Sequence, residues 1–319
     1  MYYAFLIMSF ISSAVLMKYL IPMLKRLKFG QSIRKEGPEA HLAKTGTPTM
    51  GGISFIVVTT ILSIVALFFV DDISKLIILI IVTLGFGLIG FLDDYIIVVK
   101  KENEGLSSKQ KALLQVVVSV IIFVIMFMFI PGIEKGIQIP GTDFLIPLGY
   151  FFVVWIVFWL VGFSNAVNLT DGLDGLSTST TIIAFASFLT IALIKGETEI
   201  SLFLFILIGA QIGFFIYNKF PAKVFMGDTG SLALGGIIAT VSIMLNNSLL
   251  LLLIGIVFVV ETASVIIQVT SFKMTGKRVF KMTPIHHHFE LSNWSEWKIV
   301  IVFSAVGLIA GIIGVFLGV

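Results

Sequence analysis

The chain contains no cysteine, only eight prolines and few charges: of its 319 residues, 12% are Asp, Glu, Lys or Arg. The missing cysteine excludes disulfides, thiolate metal ligands and a cysteine nucleophile. The shortage of charge, beside 58% hydrophobic residues and a mean hydropathy of +1.09, excludes an ordinary water-soluble domain and points to a protein of the lipid bilayer. No basic tract is interleaved with aromatics, so the net charge of +3 describes no nucleic-acid surface. Nor is any polar segment long enough for a separate soluble domain, and residues 1–319 read as one integral membrane domain.

What the chain has in abundance is apolar runs, at roughly 3 to 24, 51 to 70, 75 to 92, 112 to 130, 146 to 163, 177 to 194, 200 to 217, 231 to 246, 249 to 271 and 299 to 318. Each can cross a hydrocarbon core of about 30 Å as a helix, so the expected fold is all-α with about ten transmembrane helices. The first run has no basic residue ahead of it and no small-residue cleavage site, and reads as a retained span. Only Asn246, Asn247 and Ser248 mark the gap between the eighth and ninth runs.

Positive loops stay in the cytoplasm. The loops after spans one, three, seven and nine hold 17 of the 21 Lys and Arg residues, whereas the even-numbered loops hold only Lys75, Lys135 and Lys195. The odd loops are therefore expected inside and both termini outside. Every polar motif falls in an odd loop, so all of them can meet at one cytoplasmic site.

Phe91-Leu92-Asp93-Asp94-Tyr95 ends the third span and sets two adjacent carboxylates beside the negative end of a helix dipole, a self-repelling arrangement that invites a cation. Mg²⁺, which takes one or two carboxylates with substrate phosphates, answers this, and so would a nearby lysine. An interfacial stop is the simpler alternative. The next inside loop carries Asn165-Ala166-Val167-Asn168-Leu169-Thr170-Asp171-Gly172-Leu173-Asp174-Gly175-Leu176. Capping by Asp174 or Ser177 would explain one polar residue but not the set, and the spacing is not that of a calcium loop. Glycines before a helix start suit close backbone approach to a nucleotide.

Ahead of span eight, Asn218-Lys219-Phe220-Pro221-Ala222-Lys223-Val224-Phe225-Met226-Gly227-Asp228-Thr229-Gly230-Ser231 again offers caps. Its Asp228-Thr229-Gly230-Ser231 run also looks like an aspartic-protease signature, which would make Asp93 and Asp228 a proteolytic dyad and leave the surrounding lysines, asparagines and histidines unused. The run from Lys44 to Gly52 places one lysine among threonines and glycines, suited to phosphate oxygens although it is not a P-loop. In the last inside loop His286, His287 and His288 are consecutive, and such side chains diverge, so they suit hydrogen bonding better than shared metal ligation. Glu261 is the one acid deep in an apolar run, either catalytic or a tie between spans.

Together these motifs resemble the polyprenyl-phosphate N-acetylhexosamine-1-phosphate transferases. The Lys44–Gly52 run and Thr283-Pro284-Ile285-His286-His287-His288-Phe289-Glu290 are similar to the branch with a muramoyl-pentapeptide donor. The resemblance implies a bacterial cytoplasmic-membrane enzyme with UDP-MurNAc-pentapeptide and undecaprenyl phosphate as substrates, lipid I and UMP as products, and Mg²⁺ as cofactor, and it leaves a homodimer open. By the same resemblance Asp228 holds Mg²⁺, Asp93 engages the lipid phosphate and Asp94 supports the site. Asn168, Asp171, Asp174 and Asn218 hold the nucleotide-sugar, Phe225 stacks on uracil, Lys44 and Lys109 balance phosphate charge, and His286, His287 and His288 border the donor pocket. Many members of the family carry a lysine where this chain has Ile97, so either Lys100 or Lys101 takes its place or the contact is dispensable. A relative using UDP-GlcNAc is the nearest alternative, against which the triple histidine argues. A transporter would have more ionisable groups at the midplane than Glu261.

Overall fold

A computed structural model describes residues 1–27, 44, 46–100, 105–130, 134–142 and 144–319, without the side chains of residues 99 and 100. His41, Thr45, Lys101 and the Lys100 side chain lie outside the described residues. The helices are α1 (Tyr2–Arg26), α2 (Ile53–Ala66), α3 (Ser74–Lys100), α4 (Ser108–Phe129), α5 (Phe152–Thr170), α6 (Leu176–Ile194), α7 (Thr198–Asn218), α8 (Gly227–Met244), α9 (Leu251–Ile254), α10 (Ile256–Thr275), α11 (Ile285–Glu290) and α12 (Glu296–Gly318). Among the described residues nine helices are long and apolar enough to span a membrane, and α2 with its 3₁₀ extension forms a shorter apolar helix over Ile53–Phe69. Lipid offers no partner for backbone amides, so a chain this apolar must satisfy them within its own helices.

The central helix is α8: 89% of its apolar stretch is buried, against 22% for peripheral α4. Its composition explains the placement, since Gly235 lies against the α5 backbone at Phe163 and Ser164 and Gly236 against the Phe86 ring of α3, both nearer than a Cβ would allow, where lipid supplies no hydrophobic drive. Polar ties complete the packing. Trp159 Nε1 donates to Ser242 Oγ at 3.1 Å between α5 and α8, and Thr181 Oγ1 donates to Gln211 Oε1 at 2.9 Å between α6 and α7.

Four boundaries depart from the expected spans. Helix α3 runs on to Lys100, so Asp93 and Asp94 lie within it and not at its end. Helix α5 begins late and ends at Thr170, which puts Asn165 and Asn168 on its last turns and leaves only a short loop after it. The residues before α5 form a small antiparallel hairpin, β1 (Gly136–Gln138) with β2 (Leu145–Pro147), the one departure from an all-α fold among the described residues. The ninth apolar run breaks at Gly255 into α9 and α10. The break after α8 does fall at Asn246 and Asn247, where Asn247 Nδ2 donates to the Gly318 carbonyl at 3.0 Å.

Candidate active site

Successive residues on a helix point about 100° apart, and Asp93 and Asp94 accordingly serve different neighbours. Asp94 faces α8, whose N-cap Met226 provides no side-chain acceptor. Its carboxylate accepts from the Asp228 amide at 3.2 Å, the Thr229 amide at 3.0 Å and Thr229 Oγ1 at 2.7 Å, so α3 caps α8 from outside. Gly90, one turn earlier, allows this approach: a Cβ there would lie 2.0 Å from the Asp228 carbonyl oxygen. Asp94 thus acts on the site by fixing Asp228.

Asp93 turns toward the start of α4, accepting from the Leu106 amide at 2.8 Å. Lys111 Nζ lies 3.0 Å from Asp93 Oδ2 and donates to Asp228 Oδ2 at 2.6 Å, while Asn168 Nδ2 donates to Asp228 Oδ1 at 2.7 Å and to Ser231 Oγ at 2.9 Å. Four helices, α3, α4, α5 and α8, therefore converge on one charged centre. Lys111 was not singled out by sequence. Lys109, two residues earlier and about 200° around the helix, is exposed, and only Lys111 faces the carboxylates. An ammonium between Asp93 and Asp228 makes this a compensated charge cluster rather than two carboxylates sharing a proton.

Asp171, in the loop after α5, sits beside this centre and accepts from the Gly227 amide; burial, then the negative charges of Asp228, Asp94 and Asp174, holds its carboxyl well above the usual carboxylate range. A folded-state pKa raised in this way gives stability that is present below about pH 4 and lost as pH rises through the shifted value. The wild type is therefore expected to lose more thermal stability than Asp171→Asn between about pH 5 and about pH 8. Melting curves in detergent check this, and parallel pH profiles for the two proteins would refute it.

Asp174 is buried and fully engaged. Its Oδ1 accepts from Lys44 Nζ at 2.7 Å, its Oδ2 from the Ala222 amide at 2.8 Å, and its own amide donates to Glu296 Oε1 at 2.6 Å. Lys44 also donates to Glu296 Oε1 at 2.6 Å, so its charge is matched by two carboxylates. Neither Asp174 nor Ser177 caps α6, which begins from Gly175 at φ 78°. Asn218 is buried between Thr178 Oγ1 (2.7 Å) and the Val224 carbonyl (3.1 Å). Phe225 pairs with the motif before α2 through its backbone: its amide donates to the Pro48 carbonyl at 2.8 Å and its carbonyl accepts from the Gly51 amide at 2.9 Å, leaving the ring half-exposed.

The three histidines diverge. His286 is buried, with Nδ1 3.1 Å from Glu261 Oε1, and its ring rests on the loop after α5, where a Cβ at Gly172 would lie 2.3 Å from His286 Nε2. Glu261 therefore ties α10 to the histidine segment. His287 Nδ1 lies 2.7 Å from Glu290 Oε2, and His288 Nδ1 accepts from the Lys281 amide at 3.1 Å. Among the described residues no group of three His, Asp and Glu side chains is arranged to hold a metal. Asp93 and Asp228 with a cation between them nevertheless fit Mg²⁺, which needs few carboxylates when phosphates supply the other oxygens.

The family model of glycosyl transferase family 4 matches residues 76–246, a stretch that includes Asp93, Lys111, Asn168 and Asp228. Proteins called phospho-N-acetylmuramoyl-pentapeptide-transferase in Staphylococcus aureus strains JH9, Newman and JH1 are each 58% identical over 320 aligned positions, covering 100% of this chain and 100% of the relative. With likeness over the whole of both chains, and with the family's matched segment holding the charged centre, this chain belongs to glycosyl transferase family 4 and, within it, to the phospho-N-acetylmuramoyl-pentapeptide-transferases.

Proposed function

We propose that this chain transfers phospho-MurNAc-pentapeptide from UDP-MurNAc-pentapeptide to undecaprenyl phosphate, giving lipid I and UMP for peptidoglycan synthesis, at the cytoplasmic face of a bacterial membrane. The observation that carries the reading is the joining of Asp93, Lys111, Asn168 and Asp228 in a chain this similar to named transferases. The cytoplasmic placement is supported by the basic loops at the same end of the helices.

A phosphate oxygen of the lipid attacks the phosphorus attached to MurNAc, the bond from that phosphorus to the bridging oxygen breaks, and UMP leaves with the electron pair. Such chemistry asks the protein for alignment and charge compensation rather than covalent participation. Lys111 supplies a fixed positive charge where the two anionic phosphates must meet. Asn168 orients Asp228 by donating to one oxygen and leaves the other to cations. Asp228, with Asp93 across from it, would hold Mg²⁺ together with the pyrophosphate, and that ion would supply further neutralisation of the transferred group. A lipid phosphate is already largely ionised near neutral pH, so Asp93 chiefly positions the acceptor. All these side chains come from one copy of the chain.

Incubating purified protein and undecaprenyl phosphate in detergent with either UDP-MurNAc-pentapeptide or UDP-GlcNAc tests the reading. UMP release and lipid I with the first donor are expected. Lipid-linked GlcNAc as the main product would overturn the donor assignment.

A further inference from the structure

Glu296, the first residue of α12, lies outside every motif discussed so far, yet one of its oxygens joins two of them. Its Oε1 accepts from Lys44 Nζ and from the Asp174 amide, each at 2.6 Å. Asp174 in turn grips the loop before α8 through the Ala222 amide at 2.8 Å. The segment containing Lys44, the loop after α5, the loop before α8 and the start of α12 are thus drawn to one point. The side chains of Lys44, Asp174 and Glu296 are only 16%, 3% and 11% exposed, so these charge-assisted bonds are shielded from solvent.

The position of Glu296 is set without its carboxylate. Ser295 caps α12 by accepting from the Lys298 amide at 3.3 Å. Ile299 and Val300, one turn on, pack with Leu173 and Leu176, and Trp297 meets Phe220 edge to face at a centroid distance of 6.3 Å. The α12 backbone would stay docked on both loops if the carboxylate were removed, whereas Lys44 and the Asp174 amide would each lose a partner.

We propose that Glu296 is a positioning residue of the nucleotide-sugar subsite, holding Lys44 and the Asp174 loop in the arrangement that receives the donor. This assignment rests on the donor reading above. The carboxylate acts through Lys44 and Asp174 and makes no contact with the Asp93–Lys111–Asp228 centre. Its removal should therefore weaken donor binding and leave the chemical step nearly unchanged.

The test measures UDP binding by calorimetry on the full-length protein in detergent, beside steady-state turnover. In Glu296→Ala the UDP Kd and the donor KM should rise about tenfold, with kcat within about threefold and the KM for undecaprenyl phosphate unchanged. Glu296→Gln keeps an acceptor for the Asp174 amide but removes the charge facing Lys44, and should show a rise of about threefold in the same two constants. A purely structural role would instead affect both substrates alike. Unchanged UDP affinity in either variant overturns the proposal, as does equal weakening toward the lipid; if the alanine protein does not fold, the glutamine protein decides. A wild type that binds no UDP would remove the donor reading itself, a result distinct from wild-type binding that survives both substitutions.

Discussion

Asp228→Ala is expected to lower UMP release by at least about a thousandfold, a loss of roughly 4 kcal/mol in transition-state stabilisation, while the protein still purifies folded. The magnitude follows from what meets at this carboxylate: Lys111 on one oxygen and Asn168 on the other. Without it, among the described residues Lys111 keeps only Asp93 and Asn168 keeps only Ser231, and the Mg²⁺ proposed above would lose its carboxylate at this position. The fold survives because α8 is capped by Asp94 through the backbone amides of Asp228 and Thr229, bonds an alanine at 228 retains. Rates and melting curves on the same preparation check both halves, and near-wild-type turnover would remove Asp228 from the reaction.

Lys111→Met should reduce kcat by about a hundredfold to a thousandfold, or roughly 3 to 4 kcal/mol, whereas Lys109→Ala should stay within about twofold. Methionine keeps the apolar stem of the side chain and deletes the ammonium between Asp93 and Asp228. Two carboxylates then face each other and the incoming phosphates uncompensated, which opposes binding of every anion in the reaction. Lys109 is exposed to solvent instead. Equal losses in the two variants would mean that the general positive charge of this end, rather than one placed ammonium, drives the reaction.

The membrane architecture was legible because length and apolarity suffice for a spanning helix. The gathering of Asp93, Asn168 and Asp228 at one end followed from loop charge. Other features left no local trace. Lys111 lies beside Lys109 in sequence, and only the phase of α4, fixed by a capping box at Ser107 and Gln110, decides which of them turns inward. Glu296 directly follows the serine that caps α12, so it reads as a helix-start acid and its link to Lys44, 252 residues away, is invisible locally. Asp94 reads as a supporting acid with no partner in its own motif, and only the contact of α3 with α8 shows it as a cap. Glu261 was conspicuous by its burial, yet its partner His286 comes from another element. Among the residues expected to touch substrate, Lys44 is bonded to Asp174, Asp174 to the Ala222 amide, and Asn218 to Thr178 and the Val224 carbonyl, so this part of the candidate site is built as much by tertiary bonding as by motif.

The central claim is that the donor's pyrophosphate is received where Asp93, Lys111, Asn168 and Asp228 meet. An experimental structure with UDP-MurNAc-pentapeptide bound tests it most directly: the account predicts phosphate oxygens in contact with Lys111 and with a cation on Asp228. Pyrophosphate density elsewhere, at the hairpin end of the helices or away from Asp228, would contradict it.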